Sequence, residues 1–381
     1  MIRRTLFAAI ALVAVATSAA AQRPDRPNLP RDADPNDWEA YYDHGVKMLN
    51  GGLTGSAEKA FYWAARLDPS RAEPLYALRV TIFMDDVRVW ERYLEDHPAT
   101  LRRPEVLRAD SLMSEAMLRS PFVPRSLNLL LYNQLPGSWG SDPTTRGWLA
   151  MARQDMETAV RHFTRAVENK PGSVGARVDL AQALVVVGRM NEAAEQVQAV
   201  LAELRRQDAR ELVRVYESKE MLEYALGLLY LSSSRHDEAR EALERALLEN
   251  AGAFTAHRGM ALLARMRRDL PGAAEAHGRA VEIAGEHPLL DFEYGAALVD
   301  ARRPAEALPV LKRAVEREPF WASAQLELAR AHDAAGSRAE AIAAYERYLG
   351  LAPRSAATTV AAVRRRMEVL RAAPAAPPPA G

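Results

Sequence analysis

Between Glu220 and Pro353 the apolar and polar positions alternate in a helical pattern that returns every 34 residues. Ala239, Ala273, Ala307 and Ala341 hold one position of this period, and seven residues after each come Ala246, Ala280, Ala314 and Tyr348. A period of that length, helical throughout, predicts helix-turn-helix units stacked into a solenoid. The chemistry of the recurring residues says how each pair of helices nests. A residue with almost no side chain is needed where two helices cross closely, and Gly227, Ala261, Gly295 and Ala329 are expected to face the four alanines. Leu226, Met260, Tyr294 and Leu328 then fill the space between helices. Pro319 and Pro353 end second helices because proline cannot continue them.

The first unit of this block reads YALGLLYLSSSRHDEAREALERAL, with Leu226, Gly227, Tyr230, Ala239, Leu243 and Ala246 at the spacing of the tetratricopeptide repeat. The chain resembles that family. Three further copies carry the pattern. One starts at Trp38, with His44, Gly45, Met48, Ala57, Phe61, Ala64 and Pro69. The others hold Gly147, Ala159, Phe163, Ala166 and Pro171, then Leu180, Ala181, Leu184, Gly188 and Ala193. His44 stands where leucine is usual and reads as a packed or rim residue. From Ala193 to Ala239 the step is 46, so 12 residues are inserted, which predicts a lengthened second helix. One repeat cannot bury its own apolar face, so stacking supplies the core.

The remaining segments frame this array. Residues 1–21 have the parts of a secretory signal: Arg3 and Arg4, an apolar run from Leu6 to Ala16, and Ala19 and Ala21 before a cut at Gln22. The run is short and alanine-rich for a membrane span, so no stable membrane insertion is expected after cleavage, and the mature protein reads as periplasmic or secreted. Residues 22–36, rich in proline and polar groups, read as a disordered leader. An N-terminal helical repeat lobe spans 37–139, with one clear repeat and then a degenerate one with irregular helices. The regular solenoid spans 140–355. At 356–372 a helix with Val360, Val363, Met367 and Leu370 on one face caps the stack, and 373–381 form a disordered tail. The expected fold is all-α: stacked helix-turn-helix repeats, in a superhelix that the resemblance makes right-handed, with a C-terminal capping helix.

Composition narrows the function more than the fold. Lys plus Arg equals Asp plus Glu at 50 each, so no net field favours nucleic acid, and no nucleic-acid partner is expected. The chain has no cysteine, which excludes disulfides and thiol chemistry. No phosphate loop, dinucleotide turn, zinc-protease helix or serine elbow is present, so the chain is not expected to be an enzyme or to hold a cofactor. Asp85, Asp86, Glu91, Glu95, Asp96 and His97 mix carboxylates with an imidazole, but Arg88 and Arg92 are interleaved at helical spacing, as on a solvated face. The eight histidines are scattered, and no metal site is expected.

The resemblance implies a concave face, lined by the first helix of each repeat, that binds an extended peptide or a helix. Carried over position by position, the groove residues are Tyr42 and Val46, Trp148 and Met151, then Val178, Gln182 and Val185. In the regular block they are Tyr224, Leu228, Arg258, Leu262, Arg265, Phe292, Ala296, Leu326, Arg330 and Asp333. The lysine and asparagine clamp with which some members hold a C-terminal carboxylate is not matched. Aromatic anchors with a few arginines are a composition enriched at binding hot spots. The expected partner is another protein or peptide, one of the cell envelope if export holds. The expected role is an interaction scaffold, or alternatively a regulatory or substrate-presenting module for an envelope enzyme.

Overall fold

The computed structural model describes residues 23–85, 98–122, 142–152, 155–208 and 218–372. Its described residues form helices and turns, with no strand among them. The N-terminal lobe holds α1 (Trp38–Asn50), α2 (Thr54–Leu67), α3 (Glu73–Asp85), the short α4 (Pro98–Leu101) and α5 (Pro104–Arg119). Six antiparallel pairs follow, the first five being α6 (Pro143–Ala152) with α7 (Met156–Asn169), α8 (Val174–Val186) with α9 (Met190–Asp208), α10 (Lys219–Ser232) with α11 (His236–Glu249), α12 (Phe254–Met266) with α13 (Leu270–Ala284), and α14 (Pro288–Asp300) with α15 (Pro304–Arg317). The last pair is α16 (Ala322–Ala334) with α17 (Arg338–Leu351), and α18 (Ala357–Ala372) closes the array.

Six of the turns inside pairs are built the same way. The residues after the first helix include one in the left-handed region: Gly52, Gly188, Ser234, Arg268, Arg302 and Gly336. The next backbone N–H then reaches back to a carbonyl five residues earlier, as in Arg235 to Tyr230 at 2.8 Å, Asp269 to Ala264 at 2.9 Å and Ser337 to His332 at 2.9 Å. This satisfies carbonyls that a helix end would otherwise leave unpaired. Several helices begin on side-chain caps. Asp155 accepts from Thr158 N, Asp269 from Gly272 N, Ser173 from Ala176 N and Ser218 from Met221 N.

The crossing inside a pair differs in one respect from the pattern read in the sequence. The glycine of the first helix meets not the alanine twelve residues on but the large side chain sixteen on. A Cβ at Gly45 or Gly147 would lie 2.6 Å from the Phe61 or Phe163 ring, and one at Gly227 or Gly295 would lie 2.8 or 2.5 Å from Leu243 or Leu311 Cγ. The alanine supplies backbone instead, Ala239 O being 3.5 Å from the Gly227 position. The reason is that the partner helix crosses with its next turn over the glycine, so the large residue lies flat in the gap.

Helix α9 has 19 residues against 14 in α11, so the second helix before the insertion point is lengthened, while 209–217 lie outside the described residues. Within the degenerate region α3 and α5 are helical as expected. The stretch 86–97, which includes Asp86, Glu91, Glu95, Asp96 and His97, and the stretch 123–141 lie outside the described residues. Asp85 accepts a hydrogen bond from Thr54 Oγ1 at 2.8 Å. Residues 1–22 and 373–381, which hold the expected signal and tail, also lie outside them.

The leader corrects the sequence reading. Residues 23–36 lie along the body of the protein instead of standing free of it. Trp63 Nε1 donates to Pro24 O at 2.9 Å, and the Arg26 guanidinium stands 4.5 Å from the centre of the Trp63 ring and 5.5 Å from that of Phe320. Asp34 accepts from Arg354 N at 2.5 Å, and Asn36 Nδ2 donates to Gly350 O at 3.2 Å. A polar composition reads as disorder when apolar burial is the only criterion. Here arginine stacking on aromatic rings and hydrogen bonds with Trp63 and with the end of α17 hold the segment in place.

These contacts join the two ends of the array. Trp63 packs edge-on against Phe320 at 5.1 Å between ring centres, and Arg66 is ion-paired with Glu318. On the same side, Glu115 of α5 bonds His287 at the start of α14 at 3.0 Å.

Candidate binding groove

The first helices α10, α12, α14 and α16 present corresponding residues to the concave side, four positions of one 34-residue period at Tyr224, Arg258, Phe292 and Leu326. Eight of the seventeen groove residues named above line one cavity of about 400 Å³: Tyr224, Leu228, Arg258, Leu262, Arg265, Phe292, Ala296 and Arg330. Tyr42 does not. It belongs to the N-terminal lobe, with its ring 6.0 Å from Trp38 and 5.6 Å from Phe61. Trp148 packs against the central core, which runs from α6 to α12. Val46 packs in the core of the N-terminal lobe, and Met151 and Gln182 are buried. Val178 packs on the central core, Leu326 packs in the C-terminal cluster, and Asp333 binds Arg366 with two bonds of 2.7 Å.

The charges in the cavity are paired in a way the pattern did not reveal. Arg258 donates to Glu293 through Nε at 2.7 Å and Nη2 at 2.6 Å, and its Nη1 donates to the Leu118 carbonyl. Burial opposes the charge on both partners, but each outweighs that penalty for the other. The guanidinium is held above its ordinary value and the carboxyl below its own. Arg330 is likewise taken, by Glu327 at 2.8 Å and Asp300 at 3.3 Å. Arg258 and Arg330 are therefore not free to meet an acidic ligand, which corrects the reading of the groove as a face with several open arginines. Arg265 is exposed and has no ion-pair partner among the described residues.

Tyr224 is also less available than its position suggested, being 4% exposed, with its hydroxyl pushed up by burial. Phe292 is half-buried, its ring 4.2 Å from that of Trp321. His277, from the second helix α13, reaches the same cavity with Nδ1 3.8 Å from Glu293 Oε2. Burial, with Arg258 and Arg265 nearby, brings its imidazole down to about 4 against the pull of Glu293. Sequence reasoning missed Glu293, His277, Asp300 and Glu327. A signal existed for Glu293, which stands 35 residues after Arg258, one repeat and one position along, where a carboxylate can meet an arginine on the neighbouring first helix.

A second cavity of about 340 Å³ lies beside the first and shares Leu228 and Leu262 with it. Its other wall is Arg119, Ser120, Pro121 and Phe122, the chain that leaves α5. Among the described residues no group of three His, Cys, Asp or Glu could hold a metal. No described helix is long and apolar enough to cross a membrane. The described solenoid carries no catalytic motif, and the chain has no cysteine.

No curated protein matches the chain in sequence. Among solved structures it is similar to MamA at 20% identity, covering 45% of this chain and 94% of that one, with a TM-score of 0.37. It is similar to YrrB, described as a TPR protein with an unusual peptide-binding site, at 18% identity, covering 53% and 97%, with a TM-score of 0.40. A tetratricopeptide repeat protein from Parabacteroides merdae is similar at 13% identity over 88% of this chain and 98% of its own, with a TM-score of 0.41. Two family profiles, each described as tetratricopeptide repeat, match residues 150–214 in one case and 224–288 and 295–356 in the other, together half of the 381 residues. Those matches follow the same repeats that the helix pairs display, and the chain belongs to the tetratricopeptide repeat family.

Proposed function

We propose that the protein is an exported interaction scaffold whose concave groove binds a peptide or helix of a cell-envelope partner. The observation that carries the binding part is the convergence of Leu228, Leu262, Phe292 and Ala296 with the unpaired cation of Arg265 on one cavity. Apolar walls with a single open charge suit a segment that inserts aliphatic or aromatic anchors and places one acidic group at the Arg265 rim. The export part rests on Arg3, Arg4, the apolar run and Ala19 and Ala21.

The test is a display selection of peptides on the full mature chain, repeated on two variants. Ala296→Phe fills the groove and Arg265→Glu inverts its open charge, so selected peptides should lose at least tenfold in affinity to the first. Acidic ones should lose a similar factor to the second. Peptides that bind both variants as well as the wild type would place recognition elsewhere. Mass spectrometry of the protein from its host should find a chain beginning near Gln22, and an intact Met1 terminus would sink the export reading.

A further inference from the structure

The groove is not empty along its whole length, and what fills it is this chain. Helix α5 ends at Arg119, and its last turn and the four residues Arg119–Phe122 pass across the concave side of the C-terminal repeats. Glu115 Oε2 stands 3.0 Å from His287 Nε2, while His287 Nδ1 accepts from Leu289 N, which leaves the proton on Nε2 to be donated. Leu118, only 8% exposed, joins the core of Leu289, Leu298 and Trp321, and its carbonyl accepts from Arg258. Phe122 packs against the central core and lines the second cavity together with Leu228 and Leu262.

Each of these contacts has the form of a ligand contact. A carboxylate meets an imidazole, an aliphatic side chain fills an apolar site three residues on, a helix-end carbonyl takes an arginine, and an aromatic ring fills a second site seven residues after the carboxylate. We propose that Glu115–Phe122 is a built-in ligand that closes the groove, and that the external partner is a helix end of the same chemistry. Such a partner carries an acidic residue, an aliphatic residue at the third position after it and an aromatic residue at the seventh. It binds by displacing the N-terminal lobe. The inference rests on the groove reading above and adds the occupant that the groove selects.

The lobe and leader are tied to the C-terminal repeats elsewhere too, by Arg66 with Glu318, Trp63, Arg23 and Arg26 with Phe320, and Asp34 and Asn36 with Arg354 and Gly350. A ligand that needs the open form binds with an apparent affinity reduced by the fraction of chain that is open.

The test uses the full chain and a fluorescent synthetic peptide of residues 104–122 as the probe. Leu118→Asp should bind it at least tenfold more tightly than wild type, with a larger radius of gyration by X-ray scattering. The cysteine-free chain also allows Arg66→Cys with Glu318→Cys, bridged by a short bis-maleimide. Bridging should lower capture of the probe at least tenfold relative to the same chain unbridged. Unchanged probe binding in an opened Leu118→Asp chain overturns the proposal. If Leu118→Asp loses its helical circular dichroism, the bridged and unbridged chains decide, and equal capture overturns it. A display-selected peptide that binds the unbridged chain and is lost in Ala296→Phe keeps the groove reading standing when the 104–122 probe fails. Insensitivity of both peptides to Ala296→Phe removes the groove reading itself.

Discussion

A methyl group added at Gly227 would stand 2.8 Å from Leu243 Cγ and 2.9 Å from its Cδ2, distances that packed carbons do not adopt. Leu243 cannot retreat easily, because a Cβ at Gly259 on the next first helix would lie 2.4 Å from the same side chain. One leucine is thus clasped by glycines of two successive repeats. Gly227→Ala should cost roughly 1 to 3 kcal/mol of stability in a urea titration, and Gly227→Leu more. Gly350, in α17, has nothing within 4 Å of its Cβ position, and Gly350→Ala should stabilise by about 0.4 to 1 kcal/mol. Equal effects at the two sites would show that helix propensity and not the crossing sets them. His277 gives the residue scale its pH dependence. Its folded value of about 4 lies below the ordinary 6.5, so between those values the unfolded chain binds a proton that the folded chain does not. Stability from this group is therefore full above about 6.5 and is lost as pH falls towards 4. In His277→Leu the fall in urea midpoint over that window should be shallower, and an identical slope would remove His277 as its source.

The unit of two helices depends on a turn whose backbone is the same while its residue is not. Gly52, Gly188 and Gly336 hold the left-handed position in three pairs, yet Ser234, Arg268 and Arg302 hold it in others at φ of 58°, 63° and 62°. A residue with a Cβ pays in that region, at roughly 1 to 2 kcal/mol, where glycine does not. Arg302→Gly should consequently raise stability, by roughly 0.5 to 1 kcal/mol after the extra freedom of the unfolded glycine is counted. A drop in melting temperature for that variant would mean that the Arg302 side chain contributes more than its backbone strain costs. At this scale the sequence was most legible. The contacts that build a pair lie within about one repeat of each other, so their residues recur at 34 and show as a pattern, from the Gly227 series to the prolines that end second helices. The identity of the crossing partner was not legible, because alanine at twelve and leucine at sixteen residues beyond the glycine recur with equal regularity. Only the helix crossing tells them apart.

For the whole molecule the recurring part of the groove could be read in advance, since Tyr224, Arg258 and Phe292 stand one period apart. What closes the groove could not. Glu115, Leu118 and Phe122 occur once, in a stretch without periodicity, and the partners Trp63 and Phe320 or Arg66 and Glu318 belong to no repeated position. The pairing of Arg258 by Glu293 was hidden for a different reason: it is made between neighbouring repeats, and only one pair of repeats carries both charges at those places. The contacts of the leader were not legible because its proline and charge content resembles that of chains with nothing to bury, whereas its arginines find aromatic faces at Trp63 in α2 and at Phe320 in the turn before α16.

The joining of Arg66 to Glu318, partners 252 residues apart, and of Asp34 to Arg354, 320 apart, has a temporal consequence. A stack of repeats is otherwise a protein of short-range contacts, able to nucleate in many places and grow by nearest neighbours. Its two ends, by contrast, can meet only after nearly the whole chain exists, at a loop-closure entropy that local contacts do not share. During synthesis α1–α5 come out first and must wait with the Trp63 face uncovered until the repeats around Phe320 and Arg354 have formed. Joining of the two ends is thus a late event of folding, and for that interval the aromatic face around Trp63 stays uncovered.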